Sequence, residues 1–381
     1  MNHGRHRGLL ILGAFASLGL LPVACGSSST SSKTDALNTG DGGRDGAASG
    51  DDSGSAATDS GSTETTDSGS GDSSTTPAPT TTTPPTTPPP PPPPPPAGWR
   101  SVVGAGGLFS QTYNEVGWQT KVITSQDLYA VACNGNLRGW AAGAGGFVAH
   151  TEDGGGSWAA QDSHLTADLH AIRFGSASLG VAGGNGGALA VTTDGGQTWQ
   201  PSSVTTSTLR GAAVAGDVGL LVVVGDAGTV LRSTNAGQTW TPVTITGAGD
   251  LRGVASDTGG HLVLAVDAQK SIWASTDGAK TFTRDALASA SLDAIAMSDD
   301  GATALVSGAG GLAMTRSAAG AWSVLSTGTG ASLHAALVTD NGTHLYVAGE
   351  AGTLLFSADR GAHWAVKPLG TTATLYGLED L

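Results

Sequence analysis

One eight-residue motif recurs along the C-terminal three-quarters of the chain. The segments TEDGGGSW (151–158), TTDGGQTW (192–199) and STNAGQTW (233–240) are near copies, and STDGAKTF (275–282), TRSAAGAW (315–322) and SADRGAHW (357–364) continue the series. The closing aromatics Trp158, Trp199, Trp240, Phe282, Trp322 and Trp364 are spaced by 41, 41, 42, 40 and 42 residues. A worn copy, QTYNEVGW, ends at Trp118. A second series runs in phase with the first: Leu128, Leu169, Leu209, Leu251, Leu292, Leu333 and Leu375, six of which precede an aromatic by 30 or 31 residues. A repeat of this length cannot bury an apolar face alone, so the units must stack on one another.

A period near 41 with room for four short strands predicts the blade of a β-propeller, and the fold class is all-β. In the unit starting at Leu169 the expected strands are 168–174, 179–183, 189–193 and one beginning at Thr198. Gly-rich links such as 183–187, 225–228 and 308–311 predict tight hairpins with positive φ. Trp118 has no leucine partner upstream and Leu375 has no aromatic downstream. The segment TLYGLEDL is therefore expected to complete the blade begun by residues 100–103, 108–112 and 118–123. Sharing one blade between the two ends closes the ring at seven and removes its exposed edges.

The repeat resembles the Asp-box, or bacterial neuraminidase repeat, with the pattern S-x-D-x-G-x-T-W. Asp153, Asp194, Asp277 and Asp359 hold the acidic position, with Asn235 and Ser317 as weaker substitutes. These carboxylates are expected to staple turn amides rather than to bind metal or catalyse. The region 99–381 also resembles the photosystem II stability/assembly factor family, most clearly in LRGAAV (209–214) followed by VVGDAGTVLRSTNAGQTW (223–240). That resemblance implies a seven-bladed propeller that assists membrane-protein assembly without catalysis.

Composition divides the rest. Residues 1–24 read as an export signal, with Arg5 and Arg7 ahead of the short apolar run 8–21. The stretch Leu21-Pro22-Val23-Ala24-Cys25 resembles a bacterial lipobox, which implies a lipid anchor on Cys25. Gly26 after it implies an outer-membrane or surface-exposed lipoprotein of the cell envelope. Residues 25–98 are Ser/Gly/Asp-rich, then Thr/Pro-rich, and end in nine prolines from Pro88 to Pro96. Such a segment lacks the apolar residues to offset chain entropy and is expected to be a disordered stalk with a polyproline spacer. The formal charge of −14 argues against nucleic acid as a partner. With Cys25 lipidated, Cys133 has no partner and is expected to be a buried, inert thiol. No cofactor, no metal and a monomer are expected.

Two function classes compete. One is a non-catalytic binding or assembly scaffold for a protein or peptide. The other is a glycan-acting enzyme or lectin, since Asp-box propellers include sialidases. A sialidase needs convergent arginines and a Tyr–Glu pair, and the chain carries no Arg-Ile-Pro motif and few glutamates. Other glycosidases need paired carboxylates in one cleft, and Asp293 has no equivalent partner in another blade. The phase of the repeat puts the residue after each inner leucine at one mouth of the ring: Tyr129, His170, Arg210, Arg252, Asp293, His334 and Tyr376. These form the candidate binding ring, since Tyr and Arg are favoured where partners dock. The competing expectation is an ordinary polar strand mouth, with Arg252 paired to Asp293.

Overall fold

The computed structural model describes residues 98–113, 117–135, 137–339 and 342–380, with the side chain of Asp217 left aside. The signal segment 1–24, Cys25 and the linker up to residue 97 lie outside the described residues.

Seven four-stranded antiparallel sheets make up the described chain. Their inner strands are Leu375–Asp380, Leu128–Cys133, Leu169–Phe174, Leu209–Ala215, Leu251–Ser256, Leu292–Met297 and Leu333–Val338, which we number as blades one to seven. Each inner strand packs on the next, and the last returns to the first, so the ring is closed. Blade one joins the two ends of this region: Leu375–Asp380 pairs with Trp99–Gly104, followed by Leu108–Tyr113 and Gln119–Val122. The expected closure is thus what the structure shows. Two ion pairs reinforce it, Arg100 to Asp380 and Arg173 of blade three to Glu379.

The seven periodic leucines are the axis of this packing, since every one of them is 0% exposed. Between sheets lie apolar clusters, of which the one joining blades two and three holds the largest side chains. There Trp140 stacks on Phe174 with centroids 3.6 Å apart, and Trp199 meets Phe174 edge-on at 6.0 Å. Trp199 is fully buried, whereas Trp118, Trp158, Trp240, Trp322 and Trp364 are only half-buried. Full burial of every motif tryptophan is therefore not what this fold needs. The outermost strand of blade three begins at Gln200 rather than Thr198, as in blades two, four, five and seven, where it also starts just after the motif aromatic.

In six blades the link between second and third strands is a short 3-10 turn, and its left-handed residue is not always glycine. Gly186 takes φ 63°, but Ala227 and Ala351 take φ 56° and 53° in the equivalent turns. What does demand glycine is the residue just before the turn. A Cβ on Gly184 would lie 1.9 Å from the Asp168 carbonyl oxygen. Blade five departs here, with Asp267 in that place. Its buried carboxylate accepts hydrogen bonds from the Ser271 amide and the Trp273 indole, so no charge is left unpartnered.

Candidate binding mouth

The inner strands carry the same irregularity in every blade. The pairing register shifts after the leucine, as between Leu128 and Ala130 or Leu209 and Gly211, so the second residue has no partner opposite it. Such a bulge leaves one residue outside the ladder and re-aims its side chain. The bulged residues are Tyr129, His170, Arg210, Arg252, Asp293, His334 and Tyr376. All seven are half-buried and all line one central cavity of about 150 Å³. The structure thus gathers every residue of the expected ring at one mouth. The residue after the bulge is always Gly or Ala, because the inner strands converge there: a Cβ on Gly211 would stand 2.9 Å from the Gly253 Cα. Below the ring, buried aliphatic side chains such as Val131, Ile172, Val254 and Leu378 line the floor.

The ring is not uniform. Rings of blades seven, one, two and three form a continuous arc: His334–Tyr376 at 6.0 Å, Tyr376–Tyr129 at 5.5 Å and Tyr129–His170 at 5.1 Å between centroids. His170 Nε2 is 2.8 Å from Asn185 Oδ1 on the neighbouring turn. The other arc is charged. Arg210 holds Asp226 through two hydrogen bonds of 2.5 and 2.9 Å, a fork-to-carboxylate geometry. That guanidinium is the first cause of a lowered Asp226 pKa. Arg252 stands 3.8 Å from Asp250, and its Nε is buried with no partner. Asp293 faces His334 at 3.1 Å. The expected Arg252–Asp293 pair does not form, because each finds a nearer partner. The two arginines, equivalent by phase, therefore differ: one is held fork-to-carboxylate and one leaves its buried Nε without a partner.

The rim is built by carboxylates of a separate series. Asp127, Asp168 and Asp250, each just before an inner leucine, accept a backbone N–H from the turn of the preceding blade at 2.7 to 3.0 Å. Sequence reasoning missed these, and it missed Asp226 and Asn185. Their signal in the repeat was partial: an Asp precedes three of the seven leucines, and the residue after the repeat's glycine is Asn185 in blade three and Asp226 in blade four.

The Asp-box turns, which follow the third strands, stand at the far end of the blades from the mouth. Asp194 accepts from the Thr198 amide at 2.9 Å, from the Thr198 hydroxyl at 2.6 Å and from Thr192 at 2.8 Å. The same lattice recurs at Asp153, Asn235, Asp277 and Asp359, with Nδ2 of Asn235 donating to Thr239. Ser317 makes only a backbone turn, accepting from nothing at its side chain and closing through its amide to Ala321. The Ser157 amide, then its hydroxyl and that of Thr151, hold Asp153 down to about 2, and Thr281 likewise lowers Asp277. Exposed His164 pairs with Asp162, away from His170. Half-buried Cys133 sits 3.8 Å from Ser101 Oγ, and burial raises its thiol pKa well above the ordinary value. Among the described residues no group of His, Cys, Asp and Glu is arranged to hold a metal ion.

Fold and repeat chemistry together define a seven-bladed Asp-box propeller with a polar central mouth. The chain belongs to the family described as photosynthesis system II assembly factor YCF48, whose profile matches residues 110–377. No curated protein matches it. Among solved structures it is similar to YCF48 bound to D1 peptide, with 20% identity over 65% of this chain and 84% of that one at a TM-score of 0.53. YCF48 from Cyanidioschyzon merolae is similar at 18% identity, 73% and 90% coverage and a TM-score of 0.54. A GH74 xyloglucanase from Xanthomonas campestris gives 17% identity, 71% of this chain and 47% of its own, with a TM-score of 0.54. At these identities the structural likeness speaks for the fold.

Proposed function

We propose that this chain is an exported cell-envelope lipoprotein, anchored through Cys25, that presents its propeller as a non-catalytic binding or assembly scaffold for a protein or peptide. One observation carries the reading. A bulge repeated in every blade turns seven side chains into one cavity, yet their identities differ from blade to blade. A purely structural position in a repeat has reason to stay uniform, whereas a recognition surface has reason to vary. The similar propeller solved with a D1 peptide supports a peptide as the ligand class. The likeness to a glycoside hydrolase carries less weight at the mouth, because Asp293 is the one carboxylate among the cavity-lining side chains and it faces His334. Glycoside hydrolysis needs two carboxyl groups flanking the bond.

Affinity capture from envelope extract, comparing the wild-type propeller with Arg210→Ala/Arg252→Ala, tests the site. The wild type is expected to retain specific partners that the variant loses. Equal recovery by both removes the ring from the account, and turnover of a chromogenic glycoside panel removes the scaffold itself. The anchor is tested apart: Cys25→Ser is expected to shift the protein from membranes to the soluble fraction.

A further inference from the structure

The two arcs of the mouth differ in charge as well as in kind. On the side of blades four and five, Arg210 is neutralised by Asp226, and Arg252 lies between Asp226 and Asp250. Lys270 also stands in the turn of blade five on this side. On the side of blades seven to three, the mouth-facing loops carry Asp127, Asp168 and Glu350. Their described residues hold one cation, Lys367, and its ammonium is withdrawn over the Phe356 ring at 4.7 Å. Four aromatic rings therefore stand beside the carboxylates of these loops, and the inner-strand cation on this side that lines the cavity, Arg173, is paired with Glu379. Tyr129 registers those carboxylates: burial first, then Asp127 and Asp168, raises its phenol pKa.

Resting on the peptide-binding reading above, we propose that the His334–Tyr376–Tyr129–His170 arc is a subsite for a cationic side chain, a lysine or arginine of the bound partner. The π-faces of Tyr129 and Tyr376 attract a cation, and flanking carboxylates add to the attraction without needing direct contact. The size fits one such group. An apolar cavity of about 150 Å³ is known to admit a benzene ring, and the mouth measures about 150 Å³. It thus accepts a single side chain from above, with its alkyl stem against the aliphatic floor of Val131 and Leu378 and its charge at the rim. An anionic ligand is the less favourable occupant of this arc, because the arginines of the ring, Arg210 and Arg252, stand on the opposite arc.

The test uses fluorescein-labelled nonapeptides on a Gly/Ser frame with a central lysine pair, norleucine pair or glutamate pair. Fluorescence anisotropy is expected to rank the lysine peptide about tenfold above norleucine, with affinity falling as salt rises. Tyr129→Ala/Tyr376→Ala is expected to abolish that preference, while Tyr129→Phe/Tyr376→Phe, which keeps both rings, is expected to retain it. Unchanged melting of the variants separates binding from folding. A preference for the glutamate peptide that is lost in Arg252→Ala overturns the cationic subsite while leaving a peptide-binding mouth standing. Lysine binding that survives the double alanine variant, or equal binding of all three probes, also overturns it. Equal capture by the wild type and Arg210→Ala/Arg252→Ala in the extract experiment, by contrast, removes the ring from the scaffold reading on which this subsite rests.

Discussion

The two ends of this propeller are built by opposite rules. At the Asp-box end, Asp153, Asp194, Asn235, Asp277 and Asp359 repeat nearly the same hydrogen bonds, and each turn satisfies its own polar groups. At the mouth, the equivalent positions hold two Tyr, two His, two Arg and one Asp, and each finds a different neighbour or none. The backbone is periodic at both ends, so geometry does not explain the contrast. Uniform chemistry marks where the fold spends its polar groups on itself. Varied chemistry on a uniform frame marks where something else is to be recognised.

Several changes should break or sharpen that contrast. The largest effect is expected at neither end alone but at the seam, since both depend on ring closure. Deleting residues 377–381 removes buried Leu378 together with the Arg173–Glu379 ion pair and the Arg100–Asp380 one. The melting temperature is expected to fall by roughly 10–20 °C in calorimetry, and a truncated protein that melts like the intact one contradicts the closure. Next comes Trp199→Ala, which empties the most deeply buried motif indole. A cavity of that size costs about 3–5 kcal/mol by denaturant titration.

Smaller effects separate the two ends. Asp194→Ala removes the acceptor of three hydrogen bonds in an exposed turn. About 1–2 kcal/mol of stability should go with it, and binding at the mouth should not change. The same staples give the molecule an acid sensitivity whose sign is fixed. The folded Asp153 carboxyl sits at about 2, below the roughly 3.9 of an unfolded aspartate. Its contribution is fully present above about pH 5 and fades as pH falls toward 2. Melting temperature measured across that window should fall less steeply in Asp153→Asn than in the wild type. Arg210→Ala, at the mouth, breaks a pair whose partners are both more than a quarter exposed. Its cost to stability should stay below about 1 kcal/mol.

Much of this contrast was legible in the sequence, for identifiable reasons. The Asp-box is a local structure, closed within a few residues, so its period survives in the chain as a plain spacing. The leucine series is visible because every blade needs one fully buried side chain at the start of its inner strand. Phase alone then placed the seven ring residues at one mouth. The bulge that aims them left no trace, since it arises from how neighbouring inner strands converge and no residue type is reserved for it. The difference between Arg210 and Arg252 was equally hidden. It depends on Asp226, 16 residues away on a hairpin turn, and blade five has Ala268 in that place. The phase of the repeat places the segment holding Glu379 and Asp380 in the closing strand, but the ion pairs they make with Arg173 and Arg100 were not legible. Pairings across the ring are set by packing, and a period cannot report them.

The contrast between the two ends is tested most directly by placing a photo-crosslinking benzophenone amino acid at one of two sites in the intact protein. One site is Tyr129 in the mouth, and the other is Ser157 on an exposed Asp-box turn. After irradiation in the native envelope, crosslinked products are identified by mass spectrometry. The account predicts a discrete protein or peptide adduct from position 129 that excess unlabelled propeller competes away, and no such adduct from position 157. Specific adducts from position 157 with none from position 129 would contradict it, because the uniform end would then be the one that recognises a partner.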